Sequence, residues 1–236
     1  MRKAGIFLLD LLYPARCPIC DGLLRYRKEM ICPSCIPKVR LVAEPLCMKC
    51  GKPLEDEREF CKDCSERRHI FEQGMAVFEY PSVAASLYRF KYGGRQEYAR
   101  FYARCMAKKL NGSLRVWQPQ ALVPVPIHSS RKRKRGYNQA EILAIALSEE
   151  TGIPVRKELI KRVKKTRPQK ALNSHERQNN LKKAFKICKN DVKLDTIIII
   201  DDIYTTGSTM DAVAASLLEY GVKHIYAASL AIGRGV

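Results

Sequence analysis

The chain has 236 residues, 46% of them hydrophobic, and a formal net charge of +19. This length suits one large or two smaller domains with a buried core. No apolar run approaches the roughly 18 residues of a membrane span. The first segment is short, Asp10 interrupts its apolar residues, and no small-residue cleavage site follows, which argues against a secretory signal. We expect a cytoplasmic protein whose first residues form a packing helix. Peripheral association with the inner membrane face is the alternative.

Four CxxC pairs follow one another at nearly equal spacing. A CxxC turn directs two thiolates at one point, and two such turns supply the four ligands of a closed, structural zinc site. We therefore predict a small zinc module over residues 1–68 that holds about two Zn²⁺ ions and folds around them. Pairing in sequence order is the simplest arrangement, and an interleaved cross-brace remains open. Disulfides are the competing interpretation, which a reducing compartment disfavours. The predicted ligands are Cys17, Cys20, Cys32, Cys35, Cys47, Cys50, Cys61 and Cys64.

A second domain is predicted over residues 72–236, and its first elements are a strand and two helices. The strand covers MAVFEYP, and residues 82–111 predict two helices that break at Gly93 and Gly94. Aromatic and basic residues mix in the first helix. Amphipathic helices that cover a sheet are the main interpretation, and stacking of single-stranded bases is the alternative.

Residues 120–127 predict a second buried strand, after which a basic loop leads into a helix over residues 138–150. Prolines oppose continuation of the strand. Arginine side chains in a loop at the carboxyl end of a strand suit the paired oxygens of a pyrophosphate. The candidates for this loop are Pro124, Val125, Pro126, Arg133, Arg135 and Gly136.

The third quarter of the chain is strongly basic. Residues 131–189 contain eighteen lysines and arginines but five glutamates, which gives a net charge of +13. Such a charge favours a polyanionic partner, here single-stranded DNA, and a solvated basic face is the alternative. Residues 156–189 lack a clean periodicity and predict a mobile hairpin or hood that closes over a site. The nucleic-acid candidates are Arg131, Lys132, Arg133, Lys134, Lys164, Lys165 and Arg167.

Residues 195–221 predict a strand, a polar loop and a helix, and residues 224–232 predict the last strand. The run 197–200 is β-branched throughout, as in a central parallel strand, and Asp201 and Asp202 are expected to end it. Ligands bind at the carboxyl ends of such strands. A small hydroxyl-rich loop opening a helix suits one phosphate, and two acids suit ribose hydroxyls directly or through Mg²⁺. The candidate phosphate residues are Thr205, Thr206, Gly207, Ser208 and Thr209.

The segment IIIIDDIYTTGST resembles the phosphoribosyl pyrophosphate (PRPP) motif of type I phosphoribosyltransferases. The resemblance implies an α/β fold with a parallel sheet flanked by helices, PRPP or a related ribose phosphate as ligand, and Mg²⁺ with it. It also implies that Asp201 and Asp202 are the catalytic acids.

The chain as a whole resembles the ComF family of competence proteins, which join a double zinc ribbon to a phosphoribosyltransferase-like domain. The similar segments are CPIC, CPSC, LVPVPIH, RGYNQAEILA, TRPQKALNSHERQNNLKKAF and IIIIDDIYTTGSTM. The resemblance implies a role in natural transformation, in which single-stranded DNA enters the cytoplasm beside a ComFA-type helicase ATPase and DNA-processing proteins. The sequence contains no GxxxxGK[ST] loop, so energy for transport must come from such a partner. A nucleobase-salvage phosphoribosyltransferase and a DNA-binding adaptor with an inactive transferase fold remain alternatives.

Overall fold

A computed structural model of the chain describes residues 14–26, 29–164, 184–188 and 193–233. The expected first helix and much of the expected hood, with Lys165 and Arg167, lie outside these residues. Within them, a parallel sheet has the strand order β1 (Gly74–Glu79), β6 (His224–Ile232), β5 (Thr196–Tyr204), β2 (Ala121–Pro124). A short antiparallel ladder pairs β3 (Ile160–Arg162) with β4 (Phe185–Ile187). The helices are α1 (Lys62–Glu66), α2 (Tyr80–Tyr92), α3 (Ala99–Trp117), α4 (Ser129–Arg135), α5 (Gln139–Thr151) and α6 (Ser208–Glu219).

The β-branched run of β5 forms the centre of two cores, one on each face of the sheet. All four isoleucines of residues 197–200 are fully buried. Successive side chains of a strand point to opposite faces. Ile197 and Ile199 therefore pack with α6, whereas Ile198 and Ile200 pack with α2, α3 and α5. The predicted parallel sheet flanked by helices is confirmed.

Two local expectations are wrong. The acids do not end β5, which continues through Asp201 and Asp202 to Tyr204 because β6 continues to pair with it on one side. The expected basic loop is the short helix α4, in which the His128 side chain accepts a hydrogen bond from the backbone N–H of Ser130. Gly136 ends this helix with a φ of 84°, a conformation that favours glycine.

The eight cysteines of the predicted zinc module, here called the ribbon module, form two clusters that follow sequence order. The cysteines of residues 17–35 belong to the first ribbon, and those of residues 47–64 belong to the second. In each cluster the four sulfur atoms lie within 4.8 Å of one another. The Sγ atoms of Cys20 and Cys32 are 3.7 Å apart, as are those of Cys50 and Cys61. Zn–S bonds of about 2.3 Å in a tetrahedron place sulfur atoms about 3.8 Å apart. The geometry therefore fits two structural zinc ions and not the cross-brace.

The ribbon module crosses the edge of the sheet and contributes to both cores. The backbone N–H of Val42 donates to the carbonyl of Val77, which lies on the edge strand β1, at 2.9 Å. The first ribbon contacts α2, where Arg89 donates to the carbonyl of Ile19 at 2.5 Å. The second ribbon places Cys47, Cys50 and Cys61 in the core beside α6. The boundary between residues 1–68 and 72–236 stays a prediction.

In the described part of the chain, no helix combines the length and the apolar character that crossing a membrane requires.

Zinc should be stoichiometric and necessary for the module. We expect purified, reduced protein to contain about two zinc ions per chain, and the Cys17→Ser, Cys20→Ser variant to contain about one. Elemental analysis measures the metal, and a thiol assay before and after chelation measures free cysteines. Replacing Cys188, which lies outside both clusters, is the matched control. Metal-free reduced protein with mapped disulfides would contradict the prediction.

Candidate functional site

The expected phosphate loop and the proline segment follow the carboxyl ends of two neighbouring strands, β5 and β2, at the same edge of the sheet. The two strands are neighbours, yet the chain leaves β2 towards α5 on one face and leaves β5 towards α6 on the other. Such a reversal opens a crevice between adjacent strands, where α/β proteins bind ligands. The backbone N–H of Val125 donates to the carbonyl of Ile200 at 2.9 Å and fixes the two ends in register.

The two acids lie on the part of β5 that extends beyond the end of β2, and they are partly buried. Strand alternation directs Asp202 towards α2, where its Oδ2 lies 2.5 Å from Nζ of Lys91. Asp201 points towards the other face, and its Oδ1 accepts a hydrogen bond from the backbone N–H of Asp202 at 2.8 Å. Burial, together with the neighbouring charge of Asp202, raises the pKa of Asp201 to about 8. Both acids are therefore half-buried strand residues and not part of the loop that follows.

Two basic residues that the sequence did not single out for this site lie beside the acids. Lys91 comes from the last turn of α2. Arg162 comes from β3, and burial lowers the pKa of its guanidinium, with Arg131 contributing in the same direction and Asp201 opposing it. Arg162 therefore lies close enough to Asp201 and to Arg131 for the charges of both to act on its guanidinium. No local pattern reveals these contacts, because each joins segments that are remote in the sequence.

The hydroxyl-rich loop lies at the N-terminus of α6, as predicted. Gly207 is the N-cap, and no hydrogen bond from a side chain caps the helix among the described residues. The hydroxyls of Thr206 and Ser208 lie 2.9 Å apart, and Arg67 donates to Oγ of Ser208 at 3.4 Å. Hydroxyl groups, an arginine and the positive end of a helix suit an anion such as a phosphate.

The connector after the second ribbon forms a wall behind this loop. Nδ1 of His69 lies 2.8 Å from Oδ2 of Asp211, and Nε2 lies 3.2 Å from the hydroxyl of Tyr204. The backbone N–H of Ile70 donates to the other carboxylate oxygen of Asp211 at 2.9 Å. A Cβ at Gly207 would lie 2.6 Å from both His69 and Tyr204, and the φ of Gly207 is 72°. The glycine of the TTGST loop is therefore required by its conformation and by this close packing.

The remaining predicted residues are distributed unevenly around the crevice. Pro124 and Val125 are buried and Pro126 is half-buried. This segment can therefore contact a ligand through its backbone more readily than through its side chains. Arg135 is held by Gln139 and Tyr92, while Arg133 is exposed on α4. Nζ of Lys132 lies 3.3 Å from Oε2 of Glu141. Exposed side chains of the predicted nucleic-acid set are Lys132, Arg133, Lys134 and Lys164.

The raised pKa of Asp201 predicts a pH-dependent stability. The folded state holds the proton more tightly than a carboxyl with the ordinary value of 3.8, so stability is lost as the pH rises towards about 8. Asp201→Asn should therefore melt at a higher temperature than the wild type at pH 8, by roughly 2–4 °C per kcal/mol of penalty removed. Asp195→Asn, at the amino end of the same strand, is the control. Zinc-loaded protein without ligand is melted from pH 6 to pH 9, and a difference that does not grow with pH would contradict the prediction.

Comparisons with known proteins agree with this two-part architecture. Residues 8–65 match the family model of the double zinc ribbon domain, and residues 118–235 match that of the phosphoribosyl transferase domain. Competence protein F of Haemophilus influenzae is 31% identical over 92% of this chain and 96% of its own length. The DNA utilization protein YhgH of Salmonella typhimurium is 30% identical over 90% of this chain and 94% of its own length. Competence protein ComFC of Bacillus subtilis is 29% identical over 82% of this chain and 80% of its own length.

Three observations lead to one assignment. They are the two Cys₄ clusters, the parallel sheet with the TTGST loop at its carboxyl edge, and the similarity over nearly the whole chain. The chain belongs to the ComF family of competence proteins, in which a double zinc ribbon is joined to a phosphoribosyltransferase domain.

Proposed function

We propose that this protein is a competence factor that handles incoming single-stranded DNA in the cytoplasm and binds PRPP or a related ribose 5-phosphate. The observation that carries the proposal is the TTGST segment, which follows the last residue of β5 and forms the N-terminus of α6, two residues after the acid pair at the carboxyl edge of the sheet. The names of the relatives, which refer to competence and DNA utilization, support the DNA part. A helicase-type ATPase partner would supply the energy for transport.

Each part of the ligand has a chemically suitable counterpart. The hydroxyls and backbone of residues 205–209 suit the 5-phosphate, whose charge the N-terminus of α6 stabilises. Asp201 and Asp202 suit the ribose hydroxyls. The segment 124–126, Arg131 and Arg162 suit the pyrophosphate, since guanidinium groups bind its paired oxygens.

Magnesium fits the acid pair, with one constraint. Carboxylate oxygens are the ligands that Mg²⁺ prefers, and Mg²⁺ commonly binds one or two carboxylates together with substrate phosphates. Lys91 already contacts Oδ2 of Asp202 at 2.5 Å, so the remaining oxygens of the pair are the suitable donors. When bound with the ligand, the ion supplies positive charge beside the pyrophosphate.

The basic helix α4 is the candidate track for the DNA backbone. Its sequence, SSRKRKR, contains five basic residues and no acid. Arg133 and Lys134 are exposed, and Arg131 is half-buried and close enough to Arg162 for its charge to act on that guanidinium. Phosphate contacts of this kind bind without sequence preference and weaken with salt. The DNA track and the ribose-phosphate crevice therefore share a border.

Removal of the acid charge at Asp202 should abolish Mg²⁺-dependent PRPP binding. Asp202→Asn is preferable to alanine, because its amide keeps a polar partner for Lys91. Thr206→Val should weaken binding by removing one hydroxyl, with an effect on the order of 10-fold. Asp195→Asn is the matched control. Calorimetric titration with PRPP, with and without Mg²⁺, measures the affinity.

Unchanged titrations in both variants would place the ligand elsewhere, and wild-type protein that does not bind PRPP would end this part of the proposal. A nucleobase panel with bound PRPP tests the salvage alternative, because a salvage enzyme would release pyrophosphate with a free base.

Neutralising α4 should weaken the binding of single strands and its dependence on salt. Each phosphate contact contributes roughly −0.7 to the slope of log K against log salt, so alanine at Arg131, Lys132, Arg133 and Lys134 should reduce the slope by about 2–3. A control variant removes four charges near the amino edge of the sheet, at Lys108, Arg115, Lys193 and Lys223. Fluorescence anisotropy with a labelled oligonucleotide across salt concentrations measures both. Equal effects of the two variants would contradict a track on α4, and no binding near physiological salt would end the DNA proposal.

A further inference from the structure

The solvent-facing side of α2 carries two tyrosines that form one aromatic surface. Tyr88 is 66% exposed and Tyr92 is 54% exposed. Their ring centroids lie 5.1 Å apart, with the ring planes inclined by 46°. Residues four apart on a helix are neighbours on its surface. Leu87 and Phe90 already hold α2 in the core, so these two rings are not needed to anchor the helix.

An arginine from α4 is fixed at the edge of this surface. The guanidinium carbon of Arg135 lies 4.6 Å from the centroid of the Tyr92 ring, within the range of a cation–π contact. Nη2 of Arg135 donates to the hydroxyl of Tyr92 at 2.7 Å, and Nη1 donates to Oε1 of Gln139 at 2.8 Å. These contacts connect the exposed rings of α2 to the basic helix α4.

The helix α2 also contacts the carboxyl edge of the sheet. Lys91 faces a different side of α2 from Tyr92, and its Nζ lies 2.5 Å from Oδ2 of Asp202 on β5. The helix thus contacts α4 through Tyr92 and β5 through Lys91.

We propose that Tyr88 and Tyr92, with Arg135 beside them, form a stacking platform for the bases of single-stranded nucleic acid, while α4 contacts its phosphates. The inference rests on the proposed function and names the surface that contacts the bases. Proteins that bind single strands without sequence preference combine a basic groove with aromatic rings, because every base has a π face. The positive charge of α4, which carries no acid, matches a polyanion. A duplex buries its base faces, so the platform selects single strands.

The test separates base contacts from phosphate contacts in the full-length, zinc-loaded protein. Anisotropy titrations use an oligothymidylate and an abasic oligomer of equal length and charge. Tyr88→Ala and Tyr92→Ala should each weaken oligothymidylate binding on the order of 10-fold, leave the abasic oligomer unchanged and keep the salt slope. Tyr88→Phe and Tyr92→Phe, which keep the ring, should retain binding, and thermal melting verifies that all variants fold.

Each result has a distinct meaning. Selective loss for oligothymidylate, with rescue by phenylalanine, supports the platform. No loss, or an equal loss for both oligomers, overturns the platform while the DNA proposal stands. Wild-type protein that binds neither oligomer overturns both. Alanine variants that keep oligothymidylate binding but lose a helicase-type protein partner overturn the platform and assign the surface to that partner.

Discussion

The unequal length of two neighbouring strands determines where the candidate site lies in this molecule. β5 pairs with β2 only as far as Ile200, whereas on its other side it pairs with β6 up to Tyr204. The last four residues of β5 therefore have one edge paired and one edge open to the crevice. Asp201 and Asp202 lie on this half-paired extension. The backbone is held firmly while the carboxylates reach a polar cleft, a combination that neither a loop nor a fully paired strand would offer.

The position of the hydroxyl-rich loop also depends on the connector that follows the ribbon module. Asp211, in the first turn of α6, accepts a hydrogen bond from the backbone N–H of Ile70 and lies within hydrogen-bond distance of His69. His69 and Tyr204 in turn pack so closely on Gly207 that no side chain fits there. The second Cys₄ cluster lies in the same core as α6. The position of the loop therefore depends on the same packed core that the second ribbon forms when it folds around its metal.

Periodicity and composition predicted much of the fold, and contacts between remote segments account for most of what they missed. The β-branched run, the helix over residues 138–150 and the last strand followed from local patterns, and the CxxC spacing predicted both cysteine clusters. The continuation of β5 was missed because it depends on pairing with β6. Arg162, Lys91 and His69 were missed because their partners lie on other elements. Residue types at positions 201–209 predicted the candidate crevice, but not the cations and the wall that shape it.

The exposure of Tyr88 was likewise beyond local reasoning, because aromatic residues on an amphipathic helix are usually buried. Leu87 and Phe90 are buried, while Tyr88 and Tyr92 lie on the other side of the same helix. The side that a residue occupies depends on how α2 is rotated over the sheet, which is set by packing against Tyr102 and Tyr137.

Charge in the crevice is balanced, although the chain as a whole is strongly basic. Lys91 forms an ion pair with Asp202 on one face of β5, and the charge of Asp201, on the other face, acts on the guanidinium of Arg162. Without Lys91, the charge of Asp202 would raise the pKa of Asp201 further and would repel a phosphate. With these cations, the site combines positive charge with acids that can accept hydrogen bonds, as the proposed ribose phosphate requires. Under the proposed function, Arg131 of α4 would contribute positive charge both to a bound strand and to the pyrophosphate site beside Arg162. The two proposed ligands would then be electrostatically linked even where their contact residues differ.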